Sequence, residues 1–186
     1  LLIKFECYIV SGEEFVMVYY GDCYCWLERA QTYLDIARRR HKFITAKPVE
    51  MDVMAHLITL ATEACCKHLL CLRGIDYLGI EGFWNTACRC LDENIELPRA
   101  VTNLCNKMIV WEAQAMYAPR FEVKREELME AFTAISEWQE KLYGDFIDEA
   151  LARLEGFLPP ALVDSYDDRT QLVVDNIELL GFDPKY

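Results

Sequence analysis

The chain has 186 residues, a hydrophobic fraction of 53% and a formal net charge of −12 at pH 7, which is enough apolar material for one substantial core and too little length for a second full domain. So acidic a surface repels bare nucleic acid unless a local basic patch overrides it, and DNA is not an expected partner. No apolar run reaches the roughly 18 residues of a membrane span, and the N-terminus lacks a basic region followed by an apolar region and a small-residue cleavage site, so a cytoplasmic location without a membrane partner is expected.

Residues 1–21 read as an N-terminal extension. Leu1 to Tyr20 is apolar and aromatic with a break at Ser11-Gly12, and it fits a short strand pair, a helix laid across the rest, or sequence preceding a start at Met17. From Asp22, a natural N-cap, the spacing of Trp26, Ala30, Tyr33 and Ala37 predicts a helix to about Lys42. Arg38-Arg39-Arg40-His41-Lys42 ends it, where cations complement the exposed carbonyls; an anion-binding patch is the other reading. Pro48 suits the first turn of the next helix, predicted from Val49 to Leu72 with Met54, Leu57, Ala61, Cys65, Leu69 and Leu72 on one face and Gly74 closing it.

Phe83 to Leu91 predicts a shorter helix, and Pro98 opens a longer one with Val101, Leu104, Met108, Trp111 and Ala115 along one face. Pro119 lacks a backbone donor and pushes Ala118 out of the helical region, so that helix should stop near Met116 or Tyr117. Beyond the corner Tyr117-Ala118-Pro119-Arg120-Phe121, a second stripe of Leu128, Ala131, Ile135, Trp138 and Leu142 predicts another helix. Its first turn holds Glu126 and Glu127, and its last turn holds Lys141. After Gly144 the helical pattern resumes from Phe146 to Leu154, until Gly156 and Pro159-Pro160, and Thr170 to Leu180 predicts a last short helix ending at Gly181.

Short connections favour antiparallel neighbours, so the expected fold is all-α, an up-and-down antiparallel bundle of four to five main helices over residues 22–143. Residues 144–186 carry ten acidic and three basic side chains, a balance of −7. They are expected to form an acidic helical extension packed on the bundle or on a partner.

Nine cysteines raise the question of a metal or a disulfide set. Cys23/Cys25 and Cys88/Cys90 are CxC pairs, and on a helix positions i and i+2 point about 200° apart, so neither pair chelates one ion. None of the three His completes a zinc spacing, and the odd count argues against a closed disulfide set. Buried reduced thiols acting as small hydrophobes are the expectation, with no metal and no cofactor.

Three segments in this order resemble the HEPN family of small helical nucleotide-binding bundles. Trp26-Leu27-Glu28-Arg29-Ala30 with Leu34 and Ala37 looks like its opening helix. Ala61-Thr62-Glu63-Ala64-Cys65-Cys66-Lys67-His68-Leu69-Leu70 looks like its second, where a Glu and a Lys four apart recur in an alanine-rich frame. Leu97-Pro98, the Val101 helix, the Tyr117 to Phe121 corner and the helix to Leu142 look like its C-terminal half. The resemblance implies a dimer. In many members it also implies ribonuclease activity from an Arg and a His separated by four to six residues. The chain departs here: Leu34-Asp35-Ile36, Val49-Glu50-Met51 and Ala61-Thr62-Glu63 stand at those positions before His41, His56 and His68. No catalytic residue is therefore carried over.

Glu63 and Lys67, one turn apart, form a helix-stabilising pair on the plain reading. On the functional reading Lys67, with Arg120, Tyr117 and the paired Glu63, receives a nucleotide or phosphate between helices. Three functions are open: a non-catalytic HEPN-like binding or interaction module, which the resemblance pairs with a nucleotidyltransferase in a bacterial toxin-antitoxin-type system; a metal-independent ribonuclease with a departed site, dependent on His68 or Arg120; or a structural helical interaction domain with no nucleotide ligand. The expected assembly is a homodimer or a heteromer with the nucleotidyltransferase, with nucleotide or RNA as possible ligands.

Overall fold

A computed structural model describes residues 18–41, 48–77, 79–117, 123–154, 166–180 and 182–183. The fold is all-α. Its elements are α1 (Tyr20–His41), α2 (Pro48–Leu72), α3 (Phe83–Asp92), α4 (Arg99–Tyr117), α5 (Arg125–Leu154) and α6 (Tyr166–Leu180). Two short strands, β1 (Val18–Tyr19) and β2 (Phe182–Asp183), pair antiparallel, with Val18 opposite Asp183. The three readings offered for residues 1–16 lie outside the described residues, as do Lys42, Gly156, Pro159-Pro160 and Gly181.

On α1 the buried stripe is Cys23, Leu27, Ala30, Leu34 and Ala37, recurring at steps of four and three as a core-facing helix requires. Of the predicted stripe, Ala30 and Ala37 are in the core, while Trp26 and Tyr33 are corrected: they stand at its margin, half-buried, one position before Leu27 and Leu34. The helix also starts at Tyr20, so Asp22 lies in its first turn rather than at the N-cap. Its carboxylate there still complements the helix dipole.

α2 packs against α1, α3, α4 and α5, and its sequence suits that central place. Ala55, Ala61 and Ala64 let neighbours approach, and the buried hydroxyls of Thr59 and Thr62 donate to the carbonyls of Ala55 and Ile58 one turn back. Their polar atoms are thereby satisfied inside the helix itself. Gly74 ends α2 as expected, at φ 65°, with its N–H on the Cys71 carbonyl and that of Ile75 on the Leu70 carbonyl. Asn94 (φ 55°) closes α3 the same way, its N–H on Leu91 and that of Ile95 on Cys90. Asn is the residue after Gly that best tolerates this left-handed position. At the other end of α3, Gly82 (φ 83°) lets Glu112 of α4 accept the Phe83 N–H at 2.9 Å, and a Cβ on Gly82 would meet the same carboxylate oxygen at 2.9 Å.

α1 runs antiparallel to α2, because Cys23 meets Cys71 at one end and Tyr33 lies beside Leu60 further along. α5 also runs opposite to α1, with Tyr24 against Phe146 and Arg38 over Phe132. One apolar cluster joins α1 to α5 and holds both Trp111 and Trp138. A second gathers Cys23, Leu27, Cys71, Phe146, Ile147, Ala150 and Leu154 with Val173 and Leu180 of α6.

α5 is a single 30-residue helix that passes through Gly144. The predicted end near Leu142 is therefore corrected, and Arg153 rather than Lys141 occupies the last turn. A mid-helix Gly costs about 1 kcal/mol relative to Ala. Burial of Phe146, Ile147, Ala150 and Leu154 just beyond it exceeds that several-fold. The division drawn at residue 144 thus falls within one continuous element. α6 begins at Tyr166, four residues before the predicted Thr170, and Arg169 pairs with Asp148 of α5. Among the described residues, no helix is long and apolar enough to cross a membrane.

Candidate functional site

Where α1 and α2 run side by side, the margin of the α1 stripe meets the outer edge of α2. Trp26, Arg29 and Tyr33 from α1 and Leu60, Glu63, Ala64 and Lys67 from α2 line a small groove of about 90 Å³. That is the room of about three water molecules. It suits a phosphate-sized group, and the rest of any larger ligand would lie along the exposed surface beside Arg29.

The electrostatic centre of the groove is the Trp26 ring. The Arg29 guanidinium carbon lies 4.7 Å from its centroid and the Lys67 ammonium 4.9 Å, both within the range in which an indole face attracts a cation. Lys67 also contacts Glu63 at 2.7 Å, and each of these two side chains is only 13% exposed. On its other contacts, Trp26 meets Tyr77 edge-on at 5.6 Å, so its orientation is held from within the fold. Two cations and one carboxylate at one aromatic ring leave a net positive site on an otherwise acidic protein. An arriving phosphate would compete with Glu63 for the Lys67 ammonium.

Of the four residues singled out from sequence, Glu63 and Lys67 come together here. Tyr117 ends α4, but its side chain and all of Arg120 lie outside the described residues. From α1 the groove adds three residues that sequence reasoning did not assign to a site: Trp26, Arg29 and Tyr33. Their i, i+3, i+7 spacing on α1 was visible, but which face of α1 met Lys67 was not.

His68, adjacent to Lys67, points the other way. It is fully buried, and its Nδ1–H donates to the Cys23 carbonyl at 2.9 Å. A carbonyl can only accept, so this bond fixes the proton on Nδ1 and leaves Nε2 as a lone pair, without a hydrogen-bond partner among the described residues. The ring sits edge-on to Phe146 at 5.7 Å. Burial lowers its pKa to about 4, only partly offset by the carbonyl bond and by Glu149. A neutral imidazole walled off from solvent has no access to a substrate proton.

The basic run at the end of α1 is partly committed within the fold: Arg38 pairs with Asp35 at 3.1 Å and lies over Phe132. The side chain of His41 and all of Lys42 lie outside the described residues. Two other hollows are acidic in character. One of about 460 Å³ between α1 and α5 is lined by Glu28, Gln31, Thr32, Gln139, Glu140 and Tyr143; the other, beside α3, sets Asp76, Glu81 and Asp92 against one cation, Arg89, which is itself paired with Glu93. Neither suits an anion. Among the described residues no group of three or more His, Cys, Asp or Glu is placed to hold a metal ion.

No protein-family model matches the chain, and neither the curated proteins nor the solved structures give a match.

Proposed function

We propose that the protein is a non-catalytic binding module that takes a nucleotide or another phosphate-bearing ligand at the Trp26 groove. The observation that carries this reading is the pair of cations, Arg29 and Lys67, held within 5 Å of one indole ring on an acidic protein. Cations held at that ring can take the oxygens of a phosphate. On this reading the helices form a HEPN-like, up-and-down antiparallel bundle of a cytoplasmic protein, acting as a homodimer or with a nucleotidyltransferase-type partner in a toxin-antitoxin-type pair. The sequence likeness of Trp26 to Ala37 and of Ala61 to Leu70 supports the family assignment. The acidic C-terminal residues fit a basic protein partner better than RNA. The burial and low pKa of His68 weigh against the ribonuclease alternative, which needs an accessible proton acceptor.

The test is thermal unfolding of the purified chain with ATP, with RNA and with neither, alongside its native mass. With ATP in tenfold excess over Kd, the melting temperature should rise by roughly 3–6 °C. No shift with either ligand at millimolar concentration would leave only a structural interaction domain.

A further inference from the structure

One contact in the second apolar cluster plays no part in ligand binding. The thiol of Cys23, in the first turns of α1, meets the sulfur of Cys71, in the last turn of α2, at 2.7 Å across 48 residues of chain. A disulfide bond is about 2.05 Å long, so bond formation needs well under an ångström of approach. Both cysteines are free and belong to the same apolar cluster as Leu27, Phe146 and Ile147. Cys25 is exposed, two positions along α1 and so on the other side of that helix. Cys65 and Cys66 lie further back along α2, and Cys66 sits with Cys90 of α3. Cys71 thus meets Cys23 in direct contact, while it acts on the exposed Cys25 only electrostatically.

We infer that Cys23 and Cys71 are a dithiol site that closes to an intrachain disulfide on reaction with a low-molecular-weight disulfide such as oxidised glutathione. Cys71 reacts first, because it is 6% exposed and Cys23 is fully buried, and because terminal helical turns open most readily. The Cys71 thiolate attacks one sulfur of the oxidant, giving a mixed disulfide and releasing one thiol. The Cys23 sulfur then attacks Cys71 Sγ, and the second thiol leaves. Two protein thiols are oxidised, the oxidant is reduced to two thiols, and the two cysteine protons end on them. The hydrogen bond to Cys71 and burial hold the Cys23 thiol protonated in the closed structure, which keeps the closing step slow and tied to opening of the helix ends.

The new bond would tie the start of α1 to the end of α2, one turn from Trp26 and Lys67. The experiment is peptide mapping by mass spectrometry of the intact, folded chain after incubation with oxidised glutathione and alkylation of the remaining thiols, with thermal unfolding in parallel. The expected result is a cross-linked peptide pair containing Cys23 and Cys71, reversed by dithiothreitol, with a melting temperature raised by about 10 °C. Cys71→Ser should abolish both changes. A stable glutathione adduct on Cys71, a cross-link between any other pair, or full alkylation of both cysteines after oxidation would overturn the inference. None of these readouts depends on ATP or RNA, so the binding reading can fail without it.

Discussion

Lys67 and His68 are neighbours in the chain, yet they face two regions with opposite physics. Lys67 reaches the rim of the α1–α2 groove, where charge is held at an aromatic face and water is close. His68 turns into the cluster around Cys23 and Phe146, where the same helix tolerates only a neutral ring bonded to a carbonyl. One residue of rotation on a helix, about 100°, separates a place built for charge from a place that excludes it. The rim is where a ligand is expected, and the interior is where stability resides.

The largest effect should come from the interior. Phe146→Ala removes a fully buried ring that touches both Tyr24 and His68, and should destabilise the protein by about 3–5 kcal/mol in a denaturant titration. Because Phe146 lies away from the rim, any ATP-induced shift should survive wherever the variant is still folded. A loss below about 1 kcal/mol would mean that the second cluster is not a packed core.

Next comes pH. The His68 pKa is lowered on folding from 6.5 to about 4, so the unfolded chain binds the extra proton first. The sign follows: this residue imposes no cost above pH 6.5, and stability falls as pH drops from 6.5 toward 4, by about 3 kcal/mol at most. His68→Leu should flatten that part of the stability profile. An unchanged profile in the variant would place the titrating group elsewhere.

The rim should behave in the reverse way, with small stability effects and large binding effects. Lys67→Ala should cost only about 0.5–1 kcal/mol, from loss of one helical ion pair and one cation–aromatic contact, yet abolish the response to ATP. Glu63→Gln should change stability least of all and tighten anion binding, since it removes the carboxylate that competes for Lys67. Weaker binding in Glu63→Gln would assign the carboxylate a direct part in holding the ligand.

Local signals explain what could be read before the fold was known. Pro48 and Gly74 bracket α2, and Pro119 lies just beyond the end of α4, because each acts through its own backbone geometry. Gly144 misled because its helix cost is small and the burial of Phe146 and Ile147 beyond it is decided by α1, far away in sequence. The site was half legible for the same reason. The Glu63–Lys67 pair is written in i, i+4 spacing. Trp26 looked like one more core residue, and its role at the rim depends on the rotation of α1 against α2, which no local pattern records.

The most direct measurement is the set of tryptophan indole N–H resonances followed by NMR as ATP is added. The account predicts that the Trp26 signal shifts saturably while those of Trp111 and Trp138, in the main core, stay in place. A titration in which Trp26 does not move, or in which it moves equally in Lys67→Ala, would contradict it.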